Sequence, residues 1–116
     1  MPAPDSPAED RADERIEERM RLSRLLSRSG YPDVLVLSRE SGSDVLTETR
    51  MEILDSLGET DPPSVRALAK RLGRDKASVS RDLKVLAGHD VVEYESDGRA
   101  KAPRLKHETV IVEPLV

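Results

Sequence analysis

The sequence predicts a mainly α-helical chain with a small β element: three short helices closed by a β-hairpin, flanked by an extra N-terminal helix and short strands. Three observations carry that prediction. Between Met51 and Leu86 apolar residues recur at helical spacing in three runs, each preceded by a residue able to cap a helix. The second and third runs meet at a short turn containing Gly73. After Gly88 the period becomes strand-like, with Asp97-Gly98 between two extended runs.

The size and composition limit what else the chain can be. Its 116 residues suffice for one modest domain but not for two independent cores. Charged residues make up 36% and aromatic residues 2%, with no Trp or Phe, so the core must be a thin one of Leu, Val, Ile and Ala. Cores of that kind are commonly completed by oligomerisation. The absence of cysteine removes disulfides, thiolate metal sites and thiol nucleophiles together. No apolar stretch has the length of a secretory signal or a membrane span, so a cytoplasmic protein without membrane contact is expected.

Taken in order, residues 1–14 are rich in Pro, Ala, Asp and Glu and are expected to form a disordered tail. Residues 15–43 form the next segment. Within it, Ile16, Met20, Leu22, Leu25 and Leu26 give Arg15–Ser29 one broad apolar helical face, which is either a solvated helix or a dimerisation arm. Gly30, Tyr31 and Pro32 break it. Val34–Leu37 then reads as a strand, or alternatively a buried turn, ended by Ser41, Gly42 and Ser43.

The principal domain is expected over residues 44–106. Thr47 caps a helix bearing Met51, Ile53, Leu54 and Leu57, which stops at Gly58. Ser64 caps a second helix, with Val65, Leu68, Ala69 and Leu72 as its stripe and Gly73 as its end. Asp75 caps a third, whose buried stripe is Val79, Leu83 and Leu86. Val91–Glu95 and Ala100–Lys106 form the hairpin, with Pro103 marking an edge strand because it lacks an N–H for a ladder. Residues 107–116 contain Val110–Val112, a last strand candidate, which is expected to pair with Val34–Leu37 within a subunit or across a dimer.

The net charge of −4 argues against a polyanionic partner until it is resolved along the chain. Residues 31–62 carry 2 basic and 8 acidic side chains, whereas residues 63–106 carry 11 and 6. A nucleic acid responds to the local potential of a contact face, so the basic helices and hairpin remain a candidate surface. Enzyme chemistry has much less support, and no catalytic residue, metal ligand set or cofactor is expected. There is no Gly-rich phosphate loop, the two histidines His89 and His107 lie apart, and the acidic residues of 31–62 lack calcium-loop spacing.

The middle turn sharpens the reading. A helix-turn-helix needs a small residue where two helices cross, a Gly in the turn and an aliphatic residue locking the second helix, here Ala69, Gly73 and Val79. The stretch from Leu46 to Leu105, above all SVSRDLKVL followed by VVEYESDGR, resembles winged helix-turn-helix regulators of the MarR and ArsR kind. It looks most like small archaeal and bacterial DNA-binding regulators, some of them antitoxin-like.

That resemblance implies a recognition helix at residues 75–87 in the major groove of double-stranded DNA and a basic wing, residues 91–106, on the backbone or minor groove. Carried over by position, Lys76, Ala77, Ser78, Ser80, Arg81 and Lys84 face DNA, and Arg99 and Lys101 form the wing tip. By their chemistry Lys70, Arg71 and Arg74 join them as backbone contacts, and Ser64 at a helix N-terminus completes the candidate set. Asp82 departs from the pattern, since an aliphatic residue is usual there and Leu83 must anchor the helix instead. A homodimer is expected, so that two such helices meet successive major grooves. The alternative is a protein-interaction module, including an antitoxin-type partner of a toxin, in which the winged helix is only a scaffold.

Overall fold

The computed structural model describes residues 7–31 and 33–113. It contains α1 (Pro7–Arg28), β1 (Val34–Ser38), α2 (Arg39–Val45), α3 (Glu48–Glu59), α4 (Val65–Leu72), α5 (Lys76–Gly88), β2 (Val92–Asp97), β3 (Ala100–Leu105) and β4 (Thr109–Glu113). This is a winged helix-turn-helix: α3, α4 and α5 form the core and β2–β3 the wing.

Local chemistry accounts for the helix limits. The hydroxyls of Thr47 and Ser64 and the carboxylate of Asp75 accept from the N–H of Arg50, Ala67 and Ser78, satisfying donors that no helical carbonyl can reach. Gly73 ends α4 at φ 65°, and the N–H of Arg74 donates back to the carbonyl of Ala69 at 2.9 Å. Helix α5 continues through Gly88. It is Asp90, at φ 63°, that turns the chain toward the wing, as the Val91 N–H returns to the Leu86 carbonyl at 2.9 Å.

The core is a single aliphatic cluster in which Ile53 of α3, Leu68 and Ala69 of α4, Val79, Leu83 and Leu86 of α5, and Val91 and Val92 all meet. Ala69 and Val79, the small residue and the wedge, are both buried. Leu83 is fully buried and takes the anchoring role that Asp82 cannot.

Two small sheets flank this core. The wing pairs antiparallel from Val92↔Leu105 to Asp97↔Ala100, leaving Gly98 and Arg99 as a two-residue turn. Gly98 has φ 65° at the first turn position, which suits glycine, so the two-residue turn sits one residue later than the Asp97-Gly98 signal suggests. Strands β1 and β4 pair in parallel within the subunit, from Val34↔Thr109 to Ser38↔Glu113.

Two expectations are corrected. Residues 7–14, expected to belong to a disordered tail, are helical, because α1 begins at Pro7 and not at Arg15; proline is favoured at a first helical position. The rest of that expected tail lies outside the described residues. Ser41, Gly42 and Ser43, expected to end the Val34–Leu37 strand, lie inside α2, which follows the strand directly and which Ser38 caps through the Ser41 N–H. A side chain at Gly42 would meet the Val112 Cγ atoms at 2.7 and 2.8 Å, so the glycine lets α2 sit directly against β4. Helix α2 also crosses the expected boundary at residue 44, tying residues 15–43 to the core.

Among the described residues no helix is long and apolar enough to cross a membrane, and no group of His, Cys, Asp and Glu could hold a metal ion.

Candidate nucleic-acid interface

Helix α5 has three distinct longitudinal faces. Val79, Leu83 and Leu86 form the buried one. Opposite, Ala77, Arg81 and Lys84 are exposed, as a helix lying against an external ligand requires. On one flank, Lys76 and Ser80 look into a cleft of about 400 Å³ shared with Ser64, Val65 and Arg66 of α4 and with Arg99, Ala100 and Lys101 of the wing. The first turns of both helices carry no acidic residue. Four cationic side chains and two hydroxyls therefore border one opening beside the start of α4, a combination suited to phosphate oxygens, whereas the N-terminus of α5 is already capped by the Asp75 carboxylate.

Arg66 was not among the residues selected from sequence. It lies off the apolar stripe of α4, and only the return of the wing puts it beside Lys76 and Lys101. Lys70 is exposed on α4 but does not line the cleft.

The other flank of α5 differs from the expectation. Arg74 donates from one nitrogen to Asp82 Oδ2 at 2.7 Å and to Ser78 Oγ at 2.8 Å. Arg50, at the start of α3, reaches the other oxygen of Asp82 at 3.2 Å. Its Nη1 also donates to the carbonyls of Asp44 and Val45 at the end of α2. Arg71 is likewise engaged, donating to Ser56 Oγ at 3.3 Å and the Thr60 carbonyl at 3.4 Å. Arg71, Arg74 and Ser78, expected as contact residues, thus have intramolecular partners: Arg74 and Ser78 join each other and Asp82 across the turn into α5, and Arg71 reaches back to the end of α3.

The wing is tied at its base. Arg104 donates to the buried Pro62 carbonyl at 2.6 Å and pairs with Glu95 at 3.2 Å and Asp61 at 3.6 Å. That fastens β3 to the α3–α4 loop and leaves Arg99 at the free tip. Tyr94 stands on the same hairpin, and partial burial raises its phenol above the ordinary value, so it is uncharged at neutral pH.

A family model, described as HVO_A0114, matches residues 45–112, which run from the end of α2 through the wing into β4. The chain belongs to the HVO_A0114 family. No curated protein matches it.

Among solved structures, this family member is similar to the homodimeric winged helix-turn-helix DNA-binding domain of a possible ArsR-family transcriptional regulator from Mycobacterium bovis. The two share 26% identity and a TM-score of 0.53 over 59% of this chain and 62% of that one. An ArsR-like transcriptional regulator from Rhodococcus sp. RHA1 is 33% identical at TM-score 0.49, covering 57% of this chain and 58% of that one. A MarR/EmrR family transcriptional regulator from Acinetobacter sp. ADP1 is 22% identical at TM-score 0.48, covering 90% and 66%. The chain thus spans less than two thirds of the length of the first two.

Proposed function

We propose that the protein is a transcriptional regulator that binds double-stranded DNA sequence-specifically, with α5 in the major groove and the wing on the adjacent backbone or minor groove. The observation that carries this reading is the cleft joining Ser64, Arg66, Lys76, Ser80, Arg99 and Lys101 beside the exposed Arg81 and Lys84. Phosphates occupy the cleft, where Lys and Arg heads position the duplex without choosing a sequence. Arg81 is the base reader, since its planar fork can address guanine O6 and N7 together. The DNA-binding role of the Mycobacterium bovis domain supports the same reading.

The protein acts as a homodimer, as one winged helix offers little area for tight specific binding. Ile16 and Met20 of α1 are 48% and 54% exposed, beside a groove against β1. Along α1 the acidic residues Glu14, Glu17 and Glu18, with Arg11 and Arg15 among or before them, are followed by Arg19, Arg21, Arg24 and Arg28 without a further acidic residue, so two antiparallel copies would bring the acidic half of one near the basic half of the other. The Mycobacterium bovis domain is likewise a homodimer.

Fluorescence anisotropy with random-sequence duplex DNA tests the reading. Affinity should fall steeply with salt, the logarithmic slope being about 0.9 per phosphate neutralised. Failure to bind at low salt would remove the proposal.

A further inference from the structure

We propose that Asp82 tunes the interface in two ways: by withholding Arg50 and Arg74 from DNA phosphates it sets the salt dependence of binding, and by fixing the rotation of α5 against α3 it sets the sequence selectivity. This rests on the DNA-binding reading above. An acidic residue next to Arg81 on a helix meant for a polyanion is repulsive unless something offsets it, and here two arginines do so. Each takes a different carboxylate oxygen, at 3.2 and 2.7 Å, with all three side chains mostly buried.

The arginines come from opposite sides. Arg50 is at the start of α3 and is held by the α2 carbonyls of Asp44 and Val45, and Arg74 is in the turn leading into α5. Together with the Arg74 bond to Ser78, they brace α5 on the flank facing away from the cleft. A carboxylate gripped from two directions fixes where Arg81, one residue earlier, projects.

Arg74 has little else to keep it in place. Among the described residues its buried Nη1 has no acceptor, and its remaining partner is a neutral hydroxyl. Without the Asp82 charge the guanidinium loses its one anionic partner among the described residues, and such a group moves to solvent or to the nearest anion. In a complex that anion is a phosphate. Phosphate contacts add affinity for every sequence equally, so they steepen the salt dependence and leave the selected-to-random ratio alone; the ratio falls because α5, no longer braced, holds Arg81 less firmly over the bases.

The test compares salt dependence and selectivity on random duplex DNA and on duplexes selected from a random pool. In Asp82→Asn the logarithmic salt slope should steepen by roughly 0.9 to 1.8, one or two additional phosphates. The ratio of selected to random affinity should fall about tenfold. Adding Arg74→Gln to that variant should bring the slope back toward wild type. Glu93→Gln on the wing, which removes an equal charge without freeing an arginine, should leave the slope and the ratio nearly unchanged.

Arg74→Gln alone keeps the question open to refutation even if Asp82→Asn does not fold. It should preserve the wild-type slope, and a decrease of about 0.9 would mean that Arg74 already contacts a phosphate and would overturn the proposal. An Asp82→Asn slope equal to that of Glu93→Gln would also overturn it. Absence of wild-type binding, in contrast, would refute the DNA-binding reading itself.

Discussion

The two flanks of α5 each present a serine and a charged side chain, but the charges are of opposite sign and the arginines near them are used in opposite ways. Toward the wing, Lys76 and Ser80 open onto a cleft whose cations face solvent. Toward α3, Ser78 and Asp82 are closed into a network with Arg74 and Arg50. An arginine in a helix-turn-helix is therefore a contact residue or a brace according to whether a folded-state acceptor lies within reach. Residue type alone does not decide.

The comparison breaks most completely if the shared support of both flanks is removed. Leu83→Ala should cost about 2–5 kcal/mol, since the leucine is fully buried at the helix crossing, and chemical denaturation would read the loss. Both flanks should then lose their order together. A smaller loss would mean that the braced flank holds α5 in place independently of the core.

Next come the open-side residues. Arg81→Ala should weaken binding to a selected duplex by about 1–3 kcal/mol and relax preference at one position. Arg99→Ala should weaken binding to all duplexes alike. Identical sequence profiles from the two variants would erase the division between the base-reading helix and the wing.

Gly42→Ala probes the brace from further away. The new methyl overlaps Val112, whose stiff β-branched side chain sits on a paired strand, so stability should drop by about 1–3 kcal/mol and the thermal midpoint with it. The smallest effect is expected from Arg71→Ala. Loss of its two hydrogen bonds should cost about 1 kcal/mol at most, with no change in the salt slope of DNA binding.

What was legible in the sequence follows from the range of the forces involved. Thr47, Ser64, Gly73 and Asp75 mark helix ends through contacts with residues a few positions away, so their roles could be read directly. The stripes Val65–Leu72 and Val79–Leu86 are equally local. Helix α2 was not legible, because Ser41, Gly42 and Ser43 favour a loop by themselves, and the packing that suits the glycine comes from Val112, far along the chain. Asp82 could be recognised as unusual in position, but its partner Arg50 lies 32 residues away, and nothing local signals the pairing. Arg66 was passed over for a similar reason, since its neighbours on the wing arrive only with the tertiary fold.

The anchoring of Arg104 has a consequence for kinetics. A hairpin rooted on the Pro62 carbonyl, flanked by Asp61 and Glu95 and paired up to Asp97↔Ala100, is a stiff cantilever. Little chain entropy is then left to lose when its tip seats, and a preorganised arm of this kind favours a complex that survives long after it has formed.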